Sequence, residues 1–141
     1  RNRRRGGAAV ELALAGSLLL LLLFGASDFA RVFYHAITIS NAAGAAAFYA
    51  AQNNIKSGDA AGMTAVARAD AADAGTIAVT PERFCECPDG TRVDCLSGSC
   101  PGYGAPRLYV KARVQQPFTR LVPYPGLPSV LVGRVAYMRV Q

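Results

Sequence analysis

Histidine is nearly missing from this chain: His35 is the single one among 141 residues. No serine or cysteine stands at a spacing that would pair it with a base as an activated nucleophile, so hydrolytic and transfer chemistry lose their usual sequence basis. Gly102-Tyr103-Gly104 lacks the preceding strand and following helix of a phosphate-binding fingerprint and reads as a loop. A basic surplus is also missing from the body. Of the net charge of +6, four arginines fall within the first five residues, and the remaining 136 residues carry eleven basic and nine acidic groups. A nucleic-acid-binding domain needs its positive charge spread over a folded face, so no nucleic-acid partner is expected. His35 reads as a polar residue on a helix surface or a contact in an assembly, and Asp28 with Arg31 as a local pair, not an acid–base couple. No enzyme activity, cofactor or resident metal is expected.

Charge is absent once more from Leu12 to Phe24, and here the gap is informative. Arg1, Arg3, Arg4 and Arg5 come first, then Gly6-Gly7-Ala8-Ala9-Val10-Glu11, then the leucine run. A basic head followed by roughly twenty apolar residues is the pattern of a membrane-inserted helix whose basic end stays in the cytoplasm. The arginines also suit anionic lipid headgroups. Gly25-Ala26-Ser27 superficially resembles a signal-peptide cleavage site, but the helical pattern runs on through Asp28, Phe29, Ala30 and Arg31. With no methionine at position 1, the numbering is expected to start downstream of an initiator. The location this predicts is the inner (cytoplasmic) membrane, single-pass, with the C-terminal part periplasmic or extracellular.

Glu11 interrupts the apolar run. An ionised carboxylate one or two turns into a bilayer is costly unless it lies near the interface, pairs with a cation or takes up a proton. It is read either at headgroup depth against Arg4, Arg5 or lipid, or against a partner inside an assembly. In the second reading one satisfied polar contact sets the register of otherwise uniform apolar helices.

Beyond the span, Phe29, Phe33, Ala36, Ile37, Ser40, Ala43, Gly44, Ala47, Phe48 and Ala51 recur at helical spacings and form a stripe whose side chains shrink toward its end. Asn53 and Asn54 supply stop signals, and Ser57-Gly58-Asp59 a turn and cap. The helix is therefore expected from about Gly7 to about Asn53, and a second, alanine-rich helix from Ala60 to Ala74, weakened by Gly62 and stopped by Gly75. The period then changes. Thr76 to Thr80 reads as a short strand ended by Pro81; Arg107 to Val114 and Ser129 to Val140 alternate as half-buried strands. Arg134 breaks the apolar side of the last one, which predicts an edge position or a bulge. Pro117, Pro123, Pro125 and Pro128 make the connection a stiff loop, suited to an antiparallel return. The expected product is an α+β chain with a small sheet across the outer half of the long helix. Tyr103, Tyr109, Tyr124 and Tyr137 are candidates for a binding face.

So small an outer domain needs reinforcement, and Cys85, Cys87, Cys95 and Cys100 cluster where it would help. Two disulfides compete with a four-thiolate zinc site, but Cys85-x-Cys87 is too closely spaced for the usual metal pair. A domain outside the cytoplasm favours disulfides. Three pairings are open; the one preferred joins Cys87 with Cys95 across an Asp89-Gly90 turn and Cys85 with Cys100 around it.

Gly7-Ala8-Ala9-Val10-Glu11-Leu12-Ala13-Leu14 with its leucine run, Asp28-Phe29-Ala30-Arg31-Val32-Phe33-Tyr34 and Ser40-Asn41-Ala42-Ala43 together resemble the head of the TadE-like family of tight-adherence (Flp-type pilus) pseudopilins. The later half resembles it more loosely, through the clustered cysteines, the alternating strands and Ala136-Tyr137-Met138-Arg139-Val140-Gln141. The resemblance implies a pilin-like fold and a minor, membrane-anchored structural subunit of a pilus or related secretion assembly, whose partners are other pilin-like subunits and a prepilin peptidase. It implies processing between Gly6 and Gly7, after which an ammonium at Gly7 could pair with Glu11 of a neighbour. The arginine head present before Gly7 instead suits a precursor, an unprocessed member, or a permanently anchored accessory subunit of another membrane complex. A weaker alternative is an adhesive tip using the Pro117 to Pro128 loop. The assembly residues expected are Glu11, Gly7, Phe29 and Phe33, and the expected divisions are a head at 1–6, a span at 7–27, a helical continuation at 28–54 and an outer domain at 55–141.

Overall fold

The computed structural model describes residues 3–121 and 129–141, with side chains from residue 7 onward. Arg1, the side chains of Arg3, Arg4 and Arg5, and the loop residues Pro123, Tyr124, Pro125 and Pro128 lie outside the described residues. Helix α1 runs Arg3–Ala51, roughly 73 Å at the usual rise. Two short helices follow, α2 (Asn54–Ser57) and α3 (Ala60–Asp70), then a single 3₁₀ turn at Ala72–Ala74. Among the described residues the strands β1 (Ala78–Glu86), β2 (Arg92–Val93), β3 (Arg107–Phe118) and β4 (Val130–Arg139) form one antiparallel sheet in the order β2-β1-β3-β4. This is the α+β, pilin-like arrangement of a long apolar helix with a small domain on its outer half.

The breaks between helices fall at the expected stop and cap, with the short helix α2 between them not expected. Asn53 accepts the Lys56 amide at 2.8 Å through its side chain, and Asp59 accepts that of Gly62 at 2.8 Å, each satisfying a donor that a helix start leaves open. Helix α3 ends at Asp70, four residues before the expected end at Ala74, and Gly75 turns the chain with φ +81°. Gly62, a poor helix former, is there for proximity: a Cβ at that position would come within 2.6 Å of the Tyr49 hydroxyl.

One layer of α1 builds the core. Ile39, Ala42, Ala43, Ala46, Ala47 and Ala50 are buried against Met63 and Ala67 of α3 and against Val110, Ala112 and Val114 of β3. Side chains this short let a sheet lie close to a helix backbone. The expected stripe is divided by this packing: Ala43, Ala47 and Ala51 are buried, whereas Phe29, Phe33, Ile37, Ser40 and Phe48 are exposed. The bulky residues stand on the flank that the sheet leaves uncovered.

The sheet corrects one expectation and sharpens another. Pro81 does not end β1; it lies mid-strand, opposite Ala112. It is tolerated because β2 covers only Cys85 and Glu86, so the other side of β1 is open at Pro81 and no ladder donor is needed there. β4 is an edge strand in unbroken register with β3 from Phe118↔Val130 to Tyr109↔Arg139, so Arg134 marks an edge and not a bulge.

All four cysteines are paired, as Cys85–Cys95 and Cys87–Cys100. The preferred nested pairing is thus corrected. In the β1–β2 hairpin Cys85 faces Val93, and the Cys87 amide donates to the Thr91 carbonyl across the turn at Gly90, where φ is +87°. That register carries Cys95 past Cys87 and toward Cys85. The Asp94 carboxylate then accepts the amides of Leu96 and Ser97, both at 2.9 Å. The resulting turn brings the chain back so that Cys100 meets Cys87.

Candidate assembly surface

No residue from Gly7 to Ser27 is buried. Leu18 to Leu23 are each 55–62% exposed, on every side of the helix. A helix that is apolar all round has no stable place in water, and Gly7 to Ser27 spans roughly 31 Å, the thickness of a bilayer core. The helix is a single-pass membrane anchor.

Polar groups inside the anchor fall into two kinds. Ser17 and Ser27 donate to the carbonyls of Leu14 and Leu23 at 2.9 and 2.8 Å, so they are satisfied within their own helix. Glu11 is exposed and has no hydrogen-bond or ion-pair partner among the described residues. Gly7, one turn before it, has nothing within 4 Å of where a Cβ would stand, so its backbone is open to approach.

At the outer end of the anchor the sequence reading missed a clamp. Asp28 pairs with Arg31 at 3.3 Å, as expected, but is only 8% exposed because the same oxygen also accepts the Leu121 amide at 3.0 Å. The Asp28 carboxylate therefore fastens the end of the β3 segment to the helix. Its second oxygen is buried without a partner among the described residues. A second clamp lies two turns on: His35 is 2.9 Å from the Gln116 side-chain oxygen, while the Gln116 amide donates to the Ala74 carbonyl. With the oxygen of Gln116 as acceptor, Nδ1 of His35 carries the proton. The ring also packs edge-to-face on Phe118 at 5.7 Å. His35 is thus an internal contact between helix and sheet. The available signal was Gln116 itself, polar at a position whose alternation with Val110, Ala112, Val114 and Phe118 assigns it to the buried face.

Phe29 and Phe33 touch each other edge-on at 4.8 Å and are 65% and 53% exposed. They continue the open face of the anchor past Asp28, on the side away from the two clamps. The structure therefore places Gly7, Glu11, Phe29 and Phe33 at exposed positions of α1, while the cysteines brace the β1–β2 end of the domain.

Carboxylates of the outer domain serve the fold. Glu82 is held below the usual carboxylate range, first by the Lys111 ammonium and then by the Arg92 guanidinium, 2.8 Å away. Asp59 is held low by the Gly62 amide and then the Tyr49 hydroxyl, and Asp94 by the amides of Ser97 and Leu96. Among the described residues no three His, Cys, Asp or Glu side chains are grouped to hold a metal ion.

No curated protein and no solved structure matches the chain. Residues 6–47, which cover the anchor, Glu11, the phenylalanine pair and much of the alanine layer, match the family model described as TadE-like protein. Over this stretch the chain is similar to the TadE-like family, and its long apolar helix makes it membrane-anchored.

Proposed function

We propose that this chain is a minor pseudopilin-like structural subunit of a tight-adherence pilus or related secretion assembly, joined to other pilin-like subunits through the N-terminal half of α1. In this reading the chain is structural and not catalytic, so the activity to explain is packing. The observation that carries the reading is the contrast along one helix: the outer half is clothed by its own domain, and the anchor half, with Glu11, by none of the described residues. Leucine surfaces in lipid give neighbouring helices little positional preference, whereas a carboxylate that finds a cation or donor on a partner defines one register. Phe29 and Phe33 extend that contact beyond the bilayer.

In this reading residues 1–6 form a cytoplasmic head whose Arg1, Arg3, Arg4 and Arg5 meet anionic headgroups, 7–27 cross the inner membrane, 28–54 continue the helix, and 55–141 form the domain on the outer side. The two disulfides support that orientation, since such bonds persist in oxidising compartments. Gly6-Gly7 is the processing site for a prepilin peptidase, and the Gly7 ammonium so released is the natural partner of a neighbour's Glu11.

Two measurements test this. The intact mass of protein from native membranes should begin at Gly7; a retained arginine head would favour a permanently anchored accessory subunit instead. Glu11→Ala should leave membrane insertion intact and cut recovery of partner subunits severalfold, and unchanged recovery would remove Glu11 from the assembly surface.

A further inference from the structure

The near-neutral body hides an uneven charge distribution. Residues 101–141 hold six basic side chains and no acidic one. Register assigns most of these to the sheet face turned away from α1. Val110, Ala112 and Val114 of β3 are buried against the helix, so the alternate residues Arg107, Tyr109, Lys111 and Arg113 point the other way, and Arg139 stands opposite Tyr109 on the same face. Lys111 and Arg92 are neutralised there by Glu82. Arg107, Arg113 and Arg139 are exposed and make no ion pair among the described residues, although Glu86 stands opposite Arg107.

We infer that this outer sheet face binds a linear acidic polysaccharide of the polyuronate class, through Arg107, Arg113 and Arg139 with Tyr137 as the apolar platform. Along the strand direction the three arginines stand at residue 107, opposite residue 109 and at residue 113, spread over roughly 20 Å, a row that suits a polymer with repeating charges. Guanidinium groups bind carboxylates through paired hydrogen bonds. Other polyanions fit less well. A nucleic-acid strand needs successive open ring faces, but the Phe84 ring has Arg92 at 4.1 Å and stacks on Tyr109 at 5.7 Å. Of the rings on this face Tyr137, 58% exposed, is left most open. A protein partner would be expected to meet an apolar centre depleted of charge, whereas charges occupy the middle of this face. A bilayer is disfavoured by direction: a sheet packed face-on against α1 has its outer face parallel to the helix axis, looking sideways. The same geometry leaves the face free when the helix is engaged in an assembly, and the inference stands independently of that assembly.

The test uses the full chain in neutral detergent with polygalacturonate as probe, and dextran and poly(dT) as comparisons. Polygalacturonate should bind at low salt, weaken as salt rises, and lose at least tenfold in affinity in the Arg107→Glu/Arg113→Glu/Arg139→Glu variant. Tyr137→Ala should lose severalfold, and Arg68→Glu, on the helical layer, should bind as the parent does. Binding that survives the triple substitution would assign the affinity to the arginine head and overturn the inference. Equal binding of dextran or of poly(dT) would overturn it as well, the latter in favour of a nucleic-acid surface.

Discussion

The two halves of α1 are continuous in backbone and opposite in how they are satisfied. From Gly7 to Ser27 the helix is leucine-rich and none of its residues is buried by the described residues; from Ile39 to Ala51 it is alanine-rich and carries a sheet and a second helix. Large apolar side chains serve where the surroundings are fluid lipid, because lipid conforms to them. Small ones serve where the surroundings are a rigid sheet, because each methylene there must find space that close packing does not leave. Asp28 stands at the change, tied to Leu121, and His35 two turns later, tied to Gln116.

The contrast can be broken in three ways. The largest effect is expected from Cys85→Ser with Cys95→Ser, which should cost the outer domain about 2–5 kcal/mol. Followed by near-ultraviolet dichroism in detergent, the domain should melt earlier while the helical signal of the anchor persists; simultaneous loss of both would mean the halves are one cooperative unit. Next, Ala46→Leu should destabilise the domain by about 1–3 kcal/mol through overpacking, and Leu20→Ala should leave its melting unchanged. If Leu20→Ala were as costly, the anchor would have a packing partner inside the chain.

The smallest effect belongs to Glu82. Its folded-state pKa lies below its unfolded value, so the stabilisation from Lys111 and Arg92 is fully present above the unfolded pKa and fades as pH falls through the folded one. Glu82→Gln should remove that stabilisation at neutral pH and so flatten the acid limb in domain melts, with the smallest difference from the parent at low pH. An unchanged limb would transfer the dependence to Asp59 or Asp94, whose folded values are also depressed.

Local signals made the elements legible. The apolar run, the caps at Asn53 and Asp59 and the alternation of β3 and β4 depend on neighbours within a few residues, which is why their positions read well. Pro81 misled because a proline ends a strand only where its missing donor is needed, and that depends on which strand lies beside it. The cysteine pairing misled because nearness in sequence ignored the hairpin register that carries Cys95 toward Cys85. At the candidate site, Glu11 stood out as the interruption of the apolar run and Phe29 and Phe33 as members of a helical stripe, and with Gly7 they remain part of the proposal. The clamps at Asp28 and His35 were not legible, because their partners Leu121 and Gln116 lie 93 and 81 residues away.

By itself the sequence determined that this protein has a membrane anchor with one acidic interruption, a helical continuation and a cysteine-braced sheet domain, since hydropathy, periodicity and caps act over short stretches. Tertiary structure alone decided which flank of the long helix is covered, how the cysteines pair and which face of the sheet collects the unpaired arginines. Those outcomes depend on contacts between residues distant in the chain, where close packing and strand register choose among arrangements that local preferences leave equal.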